Sequence, residues 1–131
     1  MLRILVSNDD GIDAFGIRTL VRFLSHMAEV YVVAPDKQRS ASGQAITLGG
    51  KVWVREIEMD GAVKAVSLSG TPADCAKFGI DMMREAGTPP DFVIGGINHG
   101  GNAGIDINYS GTFAIANEGA LNGYRAIALS V

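Results

Sequence analysis

The chain has 131 residues, 47% hydrophobic and 19% charged, with a formal net charge of −3 at pH 7. That length supports one domain with a core of its own, here residues 1–131, and that composition excludes disordered and collagen-like chains. The acidic balance speaks against a specific nucleic-acid partner, the lack of a membrane-length apolar run against a membrane partner, and the lone Cys75 for a reducing, cytoplasmic setting.

Leu2 to Ser7 is a short branched apolar run, the pattern of a strand buried on both faces, and it stops at the polar turn Asn8-Asp9-Asp10-Gly11. Ile17, Leu20, Val21, Leu24 and Met27 then repeat at helical spacing, with His26 off the stripe and solvated. Glu29 to Ala34 is a second strand, so the opening predicts a βαβ unit with a right-handed crossover. Pro35 to Gly43 reads as a loop, and Lys51–Glu58 with Ala62–Ser67 as an antiparallel hairpin insertion (about 51–67) about Asp60-Gly61, lying partly outside the main sheet. Thr71, Pro72, Asp74 and Gly87 punctuate a helix at its N-cap, N1, N3 and far end. Cys75, Gly79, Met82 and Ala86 mark its inner face, and Cys75 with Met82 and Met83 reads as core packing. Phe92 to Ile94 is a further strand, Thr112 to Asn122 a helix whose Ala114, Ala116 and Ala120 allow close approach to the sheet, and Ala126 to Val131 a last, fully buried strand.

Strands alternating with helices point to an α/β fold, a doubly wound, mostly parallel Rossmann-like sheet with a hairpin insertion. A last buried strand with no covering helix reads as truncation at the C-terminus or as a surface that needs a partner.

Ligands of such sheets bind beyond the carboxyl ends of the strands. Three loops qualify: Asn8 to Gly11, Pro35 to Gly43, and Gly95 to Ser110, where six of the 17 glycines fall between Gly95 and Gly111. Asp9 and Asp10 converge only if the backbone turns between them, and two close carboxylates repel unless a cation sits between them. That pair reads either as a divalent-metal site or as a turn in which Asp10 caps and Asp9 is solvated, and the residues alone leave both open. The second loop offers the hydroxyls of Ser40 and Ser42 and the backbone of Gly43, and the third offers the Asn98 amide. Ser110-Gly111-Thr112 reads as the opening turn of a helix, where free N–H groups and hydroxyls form a phosphate cradle, with Ser110 also serving as N-cap. Oxygen donors of this kind suit Mg²⁺, Mn²⁺ or Ca²⁺ rather than zinc. His99 lies near this set without a second histidine close in sequence. A dinucleotide site is disfavoured because the first loop lacks G-x-G-x-x-G, and a serine hydrolase because no G-x-S-x-G elbow is present.

The segments ILVSNDDGI, VAPDKQRSASG, SGTPADC and GGINHGGNAGIDINYSGT resemble, in this order, the motifs of the SurE-like survival proteins over essentially the whole chain. The resemblance implies a metal-dependent phosphatase acting on nucleoside 5′- and 3′-monophosphates. It implies one divalent cation per site, Mg²⁺ or Mn²⁺ with Ca²⁺ in crystals, held by Asp9, Asp10, Ser40 and Asn98. It also implies homodimers or homotetramers built through an oligomerisation region C-terminal to this domain and absent from the chain. Asn8, Ser42, Gly43, Ser110, Gly111 and Thr112 then become phosphate-binding residues, and Asp9 and Asp10 catalytic ones, by activation of water. Gly95, Phe113 and Tyr124-Arg125 depart from the usual pattern, and none is an expected ligand. Two other readings are a receiver-type Mg²⁺-binding signalling domain and a nucleotide-binding module without catalysis. A receiver needs a phospho-accepting Asp on a central strand and a Lys after the last strand, and both are missing.

Overall fold

A computed structural model describes residues 1–37, 52–98 and 106–130, apart from the side chains of 98 and 106–110. Six strands and three helices follow in the order β1 (Leu2–Ser7), α1 (Phe15–Leu24), β2 (Ala28–Pro35), β3 (Val54–Ile57), β4 (Ala62–Leu68), α2 (Pro72–Glu85), β5 (Phe92–Asn98), α3 (Asp106–Leu121) and β6 (Arg125–Ser130). They form one sheet in the order β3-β4-β2-β1-β5-β6. All neighbours pair in parallel except β3, which runs antiparallel to β4 at one edge. Without β3 the order is that of a doubly wound sheet, whose winding reverses between β1 and β5.

Successive side chains of β1 point to opposite faces, which is why the strand is apolar throughout. Ile4 and Val6 pack with Ile17, Leu20, Val21 and Leu24 of α1. Leu5 packs on the other side with Cys75, Ile80 and Met83 of α2 and Ile115 of α3. Gly79 brings α2 down onto the sheet, because a Cβ there would lie 2.6 Å from a methyl of Leu5 and 3.2 Å from one of Val33. The α2 start is a capping box: the Asp74 N–H donates to Thr71 Oγ1 (3.1 Å) and the Thr71 N–H donates to Asp74 Oδ2 (2.9 Å).

Several expectations need correction. Met27 lies past the end of α1 and is 51% exposed, so its helical spacing to Leu24 counts for nothing. In α2 the buried methionine is Met83, with Met82 half-buried and Ala86 exposed. The hairpin is not a side structure: β4 is a full member of the parallel sheet beside β2, and only β3 is an antiparallel addition. The Asp60-Gly61 tip is present, with Gly61 at φ +92° and the Ala62 N–H donating to the Met59 carbonyl at 3.1 Å. Val63 is bulged out of β4, which shifts the register so that Ile57 opposes Ala65. Helix α3 begins at Asp106, not Thr112, and its Ala120 is exposed. Strand β6 is mostly exposed rather than fully buried, since among the described residues it pairs only with β5. Among the described residues no helix is long and apolar enough to cross a membrane.

Candidate active site at the switch point

The first loop leaves β1 where the winding reverses, between the carboxyl ends of β2 and β5. Asn8 clasps this loop: its Nδ2 donates to the Gly11 carbonyl at 2.8 Å and its Oδ1 accepts the Gly11 N–H at 3.2 Å. Gly11 sits at φ +112°, a backbone conformation that side-chain-bearing residues avoid. The Ile12 N–H then donates to the Pro35 carbonyl at 2.8 Å, tying the loop to the end of β2. The turn therefore swings the acidic pair onto the rim and holds it there.

Within that pair the two carboxylates differ. Asp9 is completely buried and Asp10 half-buried, so Asp9 is not the solvated turn residue of the alternative reading. Among the described residues neither carboxylate oxygen of Asp9 has a hydrogen-bond partner. Burial, and then repulsion from Asp10, raise the Asp9 pKa from 3.8 to about 7. Helix α3 closes over Asp9 through Gly111, where a Cβ would lie 2.8 Å from Asp9 Oδ2. Two further buried groups nearby lack partners among the described residues, the hydroxyls of Ser7 and Thr112. Unpaired buried polar groups are uncommon, so three of them on adjoining elements call for an explanation.

Because α3 starts at Asp106, Ser110, Gly111 and Thr112 lie in its second turn. Only the first four N–H groups of a helix are free, so the expected amide cradle at Gly111 and Thr112 is corrected: those amides belong to the helix ladder. Ser110 is likewise not an N-cap. The side chain of Asn8 makes both of these bonds to Gly11, which gives it a role in shaping the loop and leaves it one further N–H. Asn98 is the last residue of β5, paired with Ser130, at the same sheet end as the Ser7–Gly95 pair. Ser40, Ser42, Gly43, His99 and the side chains of Asn98 and Ser110 lie outside the described residues. Among the described residues no cluster of three or more His, Cys, Asp or Glu side chains forms a metal site. A divalent cation nevertheless fits what is present, since Asp9 offers two unpartnered oxygens under a side-chain-free Gly111.

Ser7 was missed in reading the sequence. A polar residue closing an otherwise apolar, doubly buried strand was the available signal.

Fold and rim together define a class: a doubly wound α/β protein with a buried acidic loop at its switch point. The chain belongs to the SurE family, since the family described as Survival protein SurE matches residues 4–131. The 5′-nucleotidase SurE of Thermosipho melanesiensis is 49% identical over 129 residues, covering 98% of this chain and 50% of that protein. The 5′-nucleotidase SurE of a Picosynechococcus species is 48% identical over 134 residues, covering 99% of this chain and 47% of the relative. The crystal structure of the SurE protein from Aquifex aeolicus superposes with a TM-score of 0.82 at 40% identity, covering 98% of this chain and 50% of that one. The chain thus spans about half the length of the curated relatives it matches.

Proposed function

We propose that the switch-point rim is the active site of a divalent-cation-dependent phosphomonoesterase that hydrolyses nucleoside 5′- and 3′-monophosphates to nucleoside and phosphate. The observation that carries this reading is Asp9, a buried carboxylate whose two oxygens lack partners among the described residues. A buried unpaired carboxylate is expensive unless a cation compensates it. The names of the relatives, 5′-nucleotidases, supply the substrate class.

In this reading Asp9, Asp10, Ser40 and Asn98 hold one Mg²⁺ or Mn²⁺. When bound, such a cation offsets charge developing on the phosphoryl group and acidifies water. Asp10, the more exposed carboxylate, takes the proton of the attacking water. The hydroxyls of Ser42, Ser110 and Thr112 and the Gly43 N–H hold phosphoryl oxygens, while Asn8 supports them through the turn it clasps and Gly111 by letting α3 approach Asp9. A reducing, cytoplasmic compartment suits a chain whose single cysteine, Cys75, is buried. A homodimer or homotetramer is the assembly expected of a full-length form.

The test is Asp9→Asn assayed on p-nitrophenyl phosphate with Mn²⁺. The expected result is loss of metal-dependent turnover with the fold retained. Unchanged turnover refutes the assignment.

A further inference from the structure

Asp9 is not alone in lacking a partner. Ser7 is completely buried and Thr112 is 1% exposed, and neither hydroxyl is satisfied among the described residues. The two belong to one seam. Ser7 lies two residues after Leu5, and so on the same face of β1, the face that packs against Ile115 of α3. In register with Ser7 is Gly95, where a Cβ would lie 2.8 Å from the Thr112 carbonyl oxygen. The backbone of α3 therefore runs close over β5 beside Ser7, and the residue before Thr112 is the glycine that rests on Asp9. Ser7, Asp9 and Thr112, each with buried oxygens unpaired among the described residues, thus lie on the elements that meet here: the end of β1, the loop after it, and the second turn of α3.

An alanine methyl would fill the place of Ser7 without leaving a polar atom unpaired, so packing supplies no reason for the hydroxyl. A role toward Asp9 does. We propose that Ser7 is a positioning residue of the site: its hydroxyl braces the inner oxygen of the Asp9 carboxylate through one bridging water, and so turns the other oxygen toward the rim. A water with two acceptor and two donor positions can accept from the Ser7 hydroxyl and donate to the carboxylate. Groups that orient a metal-binding carboxylate in this way usually change metal affinity by 10- to 100-fold when removed.

This inference rests on the phosphomonoesterase reading, and the experiment keeps the two apart. Mn²⁺ affinity is measured by titration calorimetry for the wild-type chain and for Ser7→Ala, Ser7→Thr and Asp9→Asn, and each is melted in EDTA. The expected result is Mn²⁺ binding by the wild type, about tenfold or greater weakening in Ser7→Ala, recovery in Ser7→Thr, and a melting temperature for Ser7→Ala in EDTA equal to or above the wild type. Wild-type affinity in Ser7→Ala overturns the role of Ser7 while leaving the metal site standing. A clearly lower melting temperature in Ser7→Ala makes the hydroxyl a structural group and overturns it equally. Absence of Mn²⁺ binding in the wild type overturns the phosphomonoesterase reading itself.

Discussion

Replacing Asp9 with Asn should make the metal-free protein more stable and the metal-loaded protein less so. The Asp9 pKa is raised from 3.8 to about 7 in the folded chain, so between those values the folded state holds a proton that the unfolded state has released. The contribution of Asp9 to wild-type stability is therefore most favourable below pH 4, falls as pH rises from about 4 to about 7, and is level above that. Raising the Asp9 pKa from 3.8 to about 7, at about 1.36 kcal/mol per tenfold change in proton affinity, sets an upper bound of about 4 kcal/mol, and water at the rim brings the expected loss to about 2–4 kcal/mol. Asparagine keeps the shape and removes the charge, so in EDTA the variant should match the wild type at pH 3.5 and exceed it by about 2–4 kcal/mol at pH 8. With Mn²⁺ at a hundred times its dissociation constant the wild type gains about 2.7 kcal/mol, and the variant, having lost a ligand, gains little. Urea unfolding at several pH values, in EDTA and in Mn²⁺, reads all of this. Wild-type stability in EDTA that is flat or rising from pH 4 to 8, with Asp9→Asn no more stable at pH 8, would refute the reasoning.

Gly111→Ala places a methyl against the Asp9 side chain and should cost about 1–2 kcal/mol despite the better helix propensity of alanine, with Mn²⁺ binding lost. Thermal melting and calorimetry check it, and unaltered binding would contradict the contact. Thr71→Ala removes the capping box of α2 and should lower stability by about 1 kcal/mol, about 3–5 °C in melting temperature, with turnover per folded molecule unchanged. Ser40→Ala and Asn98→Ala should each weaken Mn²⁺ binding by about tenfold or more with no change of melting temperature in EDTA, and wild-type affinity in either removes that residue from the ligand set.

Much of the fold was legible because local signals and tertiary context agree. The apolar run of β1, the stripe of α1 and the Thr71-Pro72-Asp74 start of α2 each have one reading, and the structure follows them. Helix α3 began earlier than expected because glycines and polar residues masked its first turn, whereas in place it is held by packing of Ala114, Ile115 and Gly119 on the sheet. Strand β6 misled for a different reason: AIALSV is as apolar as a central strand, and composition does not say whether a second neighbour exists. At the site, the sequence showed that Asp9 and Asp10 lie on a switch-point loop but not which is buried. That depends on Gly111, a hundred residues away, seating α3 on Asp9. The loops also offered the Ser40 hydroxyl and the Asn98 amide, but only the family resemblance ranks Ser40 above Ser42.

The central claim is that the loops after β1, β2 and β5 share one cation. Anomalous difference density from a crystal of this chain soaked in Mn²⁺ tests it most directly. The account predicts a single strong peak within coordination distance of Asp9 and Asp10, with Ser40 and Asn98 completing its shell. A peak elsewhere, or none at that rim at saturating Mn²⁺, would contradict it.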